Sequence, residues 1–321
     1  LAVQSFLDRF YSGYGMSREY SSTTGNDNNP FLTEQNLETQ EFTTLHHVVL
    51  KISELDLSHA LKIYPGLVDK KDRNGRTPLL WAAWRGDLHQ VKLLLEATAN
   101  VNQKDCEGYT PLGKACQAGH LNIVKCLIDA GASVRISTRW GDLAIHLASA
   151  NKESGNAIVK LLLDKNADAN AHSRAGTPLH SACNNGSLKT VDTLIAAGAE
   201  LDMLDEQGLT PAMVALCCWN EPAFLHLAER GAGLHYRSQD GWNIVQLVIW
   251  TGTPKSWRFL IKVAGPKVMQ GVHTEMLHEG HGLDYCFENC RNYFYQGPER
   301  DLDEEKMVFS EMRAHFTQQK E

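Results

Sequence analysis

The chain has 321 residues, 43% hydrophobic and 21% charged, with 31 Lys plus Arg against 38 Asp plus Glu and a net charge of -7. That apolar share excludes a wholly disordered chain. The acidic balance argues against a protein that coats nucleic acid or an anionic membrane, and no apolar run approaches the roughly 20 residues that span a bilayer.

The chain begins at Leu1 without a basic segment leading into an apolar one, so no signal peptide is visible. It reads as a processed chain or a piece of a longer protein. Residues 1–40 hold one short apolar stretch, Phe6-Leu7 with Phe10-Tyr11, and then a polar linker from Tyr20 to Pro30. A degenerate first unit follows, marked by Thr44-Leu45-His46 and by Leu57-Ser-His-Ala-Leu.

From there a segment recurs: Gly75-Arg-Thr-Pro-Leu-Leu-Trp-Ala-Ala, Gly108-Tyr-Thr-Pro-Leu-Gly-Lys-Ala-Cys, Gly141-Asp-Leu-Ala-Ile-His-Leu-Ala-Ser, Gly176-Thr-Pro-Leu-His-Ser-Ala-Cys, Gly208-Leu-Thr-Pro-Ala-Met-Val-Ala-Leu and Gly241-Trp-Asn-Ile-Val-Gln-Leu-Val-Ile. The glycines are 33, 33, 35, 32 and 33 residues apart. Thr-Pro starts a helix, because the Thr hydroxyl caps free N–H groups and Pro at the first helical position forfeits no bond. Leu79, Ala82 and Ala83 make a narrow apolar face. Val91, Leu94 and Leu95 make the stripe of a second helix, which a Gly-Ala turn such as Gly131-Ala132 ends. The fourth unit is two residues longer around Asn151-Lys-Glu-Ser-Gly, between its two helices. The last unit has lost Thr-Pro and reads as a cap.

A period of 33 with Thr-Pro-Leu-His-x-Ala resembles the ankyrin repeat. The stretch from Gly75 through Trp84-Arg-Gly-Asp also resembles ankyrin proteins of filamentous fungi. The resemblance implies an all-α solenoid of about seven helix-turn-helix units with β-hairpin loops over residues 41–265. It is flanked by the segment 1–40 and by a C-terminal capping or partner-binding segment, 266–321. There, Val268 to Leu277 and Leu302 to Phe316 are expected to be helical.

The resemblance places recognition on a concave face made of hairpin tips and first-helix ends. Carried over, the partner-binding positions are Arg73, Asn74, Arg76, Trp84, Arg85, Glu107, Tyr109, Gln117, Arg139, Trp140, Arg174, Asn184, Trp242 and Trp250. Trp84, Tyr109 and Trp140 are expected to form one patch, since Trp, Tyr and Arg dominate binding hot spots; Trp81 is expected to be structural. Cys217 and Cys218 also fall at a helix end. Early fingers are rich in Arg, whereas Glu200, Asp202, Asp205, Glu206 and Asp240 crowd later ones, which fits a peptide of bipolar charge.

Chemistry-bearing motifs are few. His46, His146 and His180 stand at the ankyrin His position, where the imidazole bonds neighbouring loops. No phosphate-binding glycine loop or His-Glu-x-x-His is present. His278, His281, Cys286 and Cys290 are residue types that suit tetrahedral zinc, but the gap between the pairs is short. An ordinary polar loop followed by a core-facing Cys pair is the reading, with zinc as the alternative. The eight cysteines read as reduced, in an intracellular protein, cytoplasmic or nuclear. The function expected is a scaffold or adaptor that binds a protein or peptide, without cofactor, nucleic acid or membrane and without catalysis. The alternative is an enzyme on an ankyrin frame with a small-molecule or metal site in the C-terminal segment.

Overall fold

The computed structural model describes residues 41–251 and 254–263, with Met307 and Ser310. Apart from those two residues, the flanks and the His278, His281, Cys286 and Cys290 set lie outside them. Among the described residues the regular structure is helical, in seven pairs: α1 (Thr44–Val49) with α2 (Leu57–Ile63), α3 (Pro78–Arg85) with α4 (Leu88–Glu96), and α5 (Pro111–Ala118) with α6 (Leu121–Asp129). Next come α7 (Ala144–Ser149) with α8 (Gly155–Asp164), α9 (Pro178–Asn185) with α10 (Leu188–Ala196), α11 (Pro211–Cys217) with α12 (Glu221–Glu229), and α13 (Ile244–Thr251) with α14 (Pro254–Val263). The chain divides into two compact units, one ending at Ala199 and one beginning at Glu200.

In the first unit α1, α3, α5, α7 and α9 pack in succession, and α4, α6, α8 and α10 form the second layer. Leu79, Leu80, Ala82, Leu112, Ala115, Ile145, Ala148, Leu179 and Ala182 fill the inner layer, and Val91, Leu94, Val124, Leu127, Val159, Leu162, Val191 and Leu194 the outer one. Small Ala residues let the first helices approach closely, and each pair covers the apolar side that its neighbour exposes. In the second unit α11 packs on α13 and α12 on α14, around Phe224.

The helix starts follow from the sequence. Thr77, Thr110 and Thr210 hydroxyls accept from the N–H groups of Leu80 (3.3 Å), Gly113 (3.1 Å) and Met213 (3.3 Å). The last pair, which lacks Thr-Pro, has a capping box instead: Asn243 N–H donates to Gln246 Oε1 and Gln246 N–H donates to Asn243 Oδ1, both at 2.9 Å.

The histidines tie unit to unit. Nδ1 of His46 accepts from Thr43 N–H at 3.1 Å, and its Nε2 lies 3.0 Å from Arg76 carbonyl oxygen. In His146, Nδ1 accepts from Leu143 N–H and Nε2 faces the Ala171 carbonyl, each at 3.1 Å. A backbone N–H only donates and a carbonyl only accepts, so both rings are neutral with the proton on Nε2.

The fingers between units are turns. Isolated bridges, Ser173 to Gly176 and Arg237 to Asn243, stand among the described residues where hairpin strands were expected. Each finger is too short for a ladder and is organised by one side chain. Asp72 Oδ1 accepts from Asn74 and Arg76 N–H, Asp105 Oδ1 from Glu107 and Tyr109, and Asp205 Oδ1 from Gln207 and Leu209, at 2.8 to 2.9 Å. The Thr138 hydroxyl does the same for Trp140 and Asp142. Single backbone bonds join successive fingers, such as Cys106 N–H to Asn74 and Arg139 N–H to Glu107 carbonyls, both 2.9 Å. Asp205→Ala should therefore cost about 1–3 kcal/mol by orphaning two N–H groups at one turn, read as a lower midpoint in urea.

The left-handed turn positions are not all glycine: Lys51 after α1, Thr98 after α4 and Asn166 after α8 also hold positive φ. Gly86 and Gly119 end α3 and α5 at φ of 85° and 81°, whereas Trp219, after α11, holds φ of 59°. A side chain in this left-handed region costs about 1–2 kcal/mol.

Candidate functional site

The sequence-derived positions of the first unit converge on three successive fingers and the helices that follow them. Trp81, one turn into α3, is 1% exposed and its indole N–H donates to Asp72 Oδ2 at 2.9 Å. Trp84, one turn further, stacks on it with ring centroids 5.2 Å apart. Phe42 also meets Trp81, at nearly a right angle with ring centroids 5.9 Å apart. Arg76, from the finger before α3, lays its guanidinium 5.1 Å from the Trp81 ring and 5.4 Å from the Trp84 ring.

The next unit continues the series. Lys114 stands in α5 at the position that Trp81 holds in α3, four residues after the capping Thr. Its ammonium lies 4.9 Å over Trp84 and 3.6 Å over Tyr109, and donates to Gln117 Oε1 at 3.1 Å. Tyr109 meets Trp140 at 6.1 Å, and Arg139 covers Trp140 at 4.3 Å while its Nη2 lies 3.9 Å from Glu107 Oε1. The result is a ladder of rings interleaved with cations, Phe42, Trp81, Arg76, Trp84, Lys114, Tyr109, Trp140 and Arg139.

Burial sets the electrostatics of this ladder. Lys114 is only 6% exposed, and burial lowers its ammonium to about 8, with Asp105 acting against that shift. Burial also pushes the Tyr109 phenol and the Asp105 carboxyl above their usual values. Arg76 Nε and Asp105 Oδ2 lie 3.8 Å apart, and neither has a hydrogen-bond partner.

The structure corrects several exposures. Trp84, Tyr109, Trp140 and Trp242 are half-buried; Arg76 and Lys114 cover Trp84, Lys114 covers Tyr109, and Tyr109 and Arg139 cover Trp140. Cys217 is fully buried in α11. Arg85 Nη1 donates to the Leu50 carbonyl at 2.9 Å, tying α3 to the first pair. Arg73 and Arg174 are exposed at finger tips, Asn74 and Asn184 are half-buried, and Gln117 is exposed on α5. Trp242 belongs to the second unit, and the Trp250 side chain lies outside the described residues. Trp219, which was not among the candidates, is the exposed indole among the described residues, at 43%. Of the later acidic residues, Asp205 holds its own turn and Asp202 accepts from Gly233 N–H at 2.7 Å.

Lys114, Phe42 and Asp105 were missed. A lysine where other units carry Trp81, Leu147, Ser181 and Val214 was the available signal. Among the described residues no group of three or more His, Cys, Asp or Glu could hold a metal ion, and Cys106, Cys116, Cys126, Cys183, Cys217 and Cys218 are free. No described helix is long and apolar enough to cross a membrane.

The repeated Thr-capped helix pairs and their His ties agree with the family model for ankyrin repeats (three copies), which matches residues 45–138, 84–173 and 145–240, more than half of the chain. The chain belongs to the ankyrin-repeat family. Over 89 residues it is 38% identical to the tyrosine-protein kinase HTK16 of Hydra vulgaris, covering 27% of this chain and 12% of the kinase. It is 27% identical over 144 residues to the E3 ubiquitin-protein ligase KEG of Arabidopsis thaliana, covering 43% of this chain and 8% of that one. It is 32% identical over 178 residues to the human ankyrin repeat and SOCS box protein 16, covering 53% of this chain and 39% of that one. The chain thus spans less than half the length of each of these curated relatives. Ankyrin repeats generally mediate protein–protein interaction, and the ladder occupies their fingers and first helices.

Proposed function

We propose that this ankyrin-repeat chain is a non-enzymatic adaptor that binds another protein or a peptide on the face formed by the fingers and first helices of residues 41–199. The observation that carries the reading is the ladder from Trp81 through Trp84, Lys114 and Tyr109 to Trp140. Large, stiff rings pre-set by their neighbours offer contact area at little cost in side-chain entropy, and Trp, Tyr and Arg dominate hot spots. The curated relatives carry their matched repeats as part of much longer chains, which supports reading this one as the recognition part of a larger intracellular protein.

The test is a paired substitution. Trp84→Ala with Trp140→Ala should weaken partner capture by about 30-fold or more, the loss of a hot spot worth at least ~2 kcal/mol, while the thermal unfolding transition stays cooperative. Full-strength capture of every partner by the folded double variant would refute this face.

A further inference from the structure

Rings meet directly in the ladder at Trp81 and Trp84, and again at Tyr109 and Trp140. Between these two pairs stands a cation. The Lys114 ammonium, from α5, lies 4.9 Å from the Trp84 centroid and 3.6 Å from the Tyr109 centroid. It thus joins a ring of α3 to a ring of the following finger.

The charge is unfavourable where it stands. Lys114 fills the place that Trp81, Leu147 and Val214 fill in other units, and it is 6% exposed. A buried ammonium gives up its hydration, and this one recovers a hydrogen bond to Gln117 Oε1 at 3.1 Å. Asp105 and Glu107, in the finger ahead of α5, favour the charged form, and Arg76 of the preceding finger opposes it. Asp142, ahead of α7, acts on Tyr109. Burial outweighs the two acids and lowers the ammonium to about 8 from an ordinary 10.5. A methionine would fill the register without that desolvation. What it would lack is attraction for two π faces at once.

We propose that Lys114 is the positioning residue of the binding face: its ammonium pins Trp84 and Tyr109 in the arrangement a partner meets, and loss of the charge frees both rings. The proposal rests on the face being a protein-binding surface. It requires no particular charge on the partner, because Asp105 and Glu107 already act on the cation. A ring fixed before contact loses less side-chain entropy on binding, so unpinning weakens affinity without removing a contact.

The sign of the pH dependence follows. Lys114 releases its proton near 8 in the folded chain and near 10.5 in the unfolded one. Between these values the unfolded chain holds more protons, so the contribution of Lys114 to stability rises with pH. Binding falls over the same range. The buried thiols of Cys116, Cys217 and Cys218 shift stability the other way. Lys114 is therefore read as the difference between the parent chain and Lys114→Met.

The probe is a peptide selected from a random library on the full chain at pH 7, N-acetylated and free of Cys and His so that it does not itself titrate. Its affinity for the parent chain should fall about three- to tenfold between pH 7 and about 9.5, and Lys114→Met should bind at the weaker level throughout. Unfolding in urea should show the parent gaining on Lys114→Met across that range. General loosening would lower binding and stability together, whereas opposite signs belong to the pin. The Trp84 indole N–H resonance, assigned with Trp84→Phe, should shift and broaden as Lys114 deprotonates.

Parent-like affinity of Lys114→Met at both ends of the range overturns the proposal. So does a flat profile in the parent chain, a result that holds even if Lys114→Met fails to fold. If Trp84→Ala with Trp140→Ala abolishes binding in either case, the face survives and only the pin fails. Full-strength binding by that double variant, or a library that enriches nothing, overturns the face and the pin with it.

Discussion

Trp81→Ala is expected to lower the free energy of unfolding by about 3–5 kcal/mol, as large-to-small changes at fully buried aromatic positions do. The indole contacts Phe42, Trp84 and the Arg76 guanidinium, so truncation opens a cavity and removes three contacts together. It also takes the hydrogen bond from Asp72 Oδ2, a buried carboxylate whose other oxygen holds the finger. Trp81→Phe separates the two effects: it keeps most of the ring and loses only the indole N–H, and should cost about 1–3 kcal/mol. Equilibrium unfolding in urea measures both. Because each repeat contacts mainly its neighbours, the loss should concentrate in the amide protection of residues 42–130 and leave later units less affected. Equal stability of Trp81→Ala and the parent chain would mean that the ladder does not hold these units together.

His146→Ala should cost about 2–4 kcal/mol, since it orphans the Leu143 N–H and the Ala171 carbonyl, each worth about 1–3 kcal/mol when buried. The same residue makes stability depend on pH. Burial lowers the His146 and His46 imidazoles below the ordinary 6.5, with Asp142 and Asp72 respectively opposing the shift, and His172 and His47 adding to it. The unfolded chain therefore takes up protons before the folded one. Stability is fully present above about 6.5 and is lost as pH falls from there through the lowered folded values. Protonation would put a hydrogen on Nδ1, which now accepts from backbone. His146→Gln is the informative control, because Gln246 already does this work in the last unit by accepting from Asn243 N–H. That variant should keep more of the stability at pH 7 and show a shallower decline toward pH 5. A thermal midpoint that does not move between pH 7 and 5 in the parent chain would contradict the assignment.

Much of this was legible in the chain. The recurring glycine, the Thr-Pro helix start and the Val-x-x-Leu stripe act locally, through capping, fixed φ and apolar spacing, so they predicted helix pairs where they stand. The insertion near Asn151 fell between α7 and α8, as its place in the repeat required. The turn-organising residues Asp72, Asp105, Thr138 and Asp205 recur at the repeat spacing, yet their role shows only when the finger closes and brings two N–H groups to one oxygen.

The sequence by itself determined the repeat, the helix pairs and the unit to which each candidate residue belongs, because these depend on near neighbours along the chain. The tertiary structure alone decided which of those residues work together. Lys114 looks like a misplaced charge in an apolar register until α5 stacks on α3 and sets it between Trp84 and Tyr109. Arg85, a recognition position by its place in the repeat, also ties α3 to the Leu50 carbonyl. Contacts between residues some 30 positions apart depend on how units stack, and that carries the change from a row of exposed aromatics to a packed ladder of rings and cations.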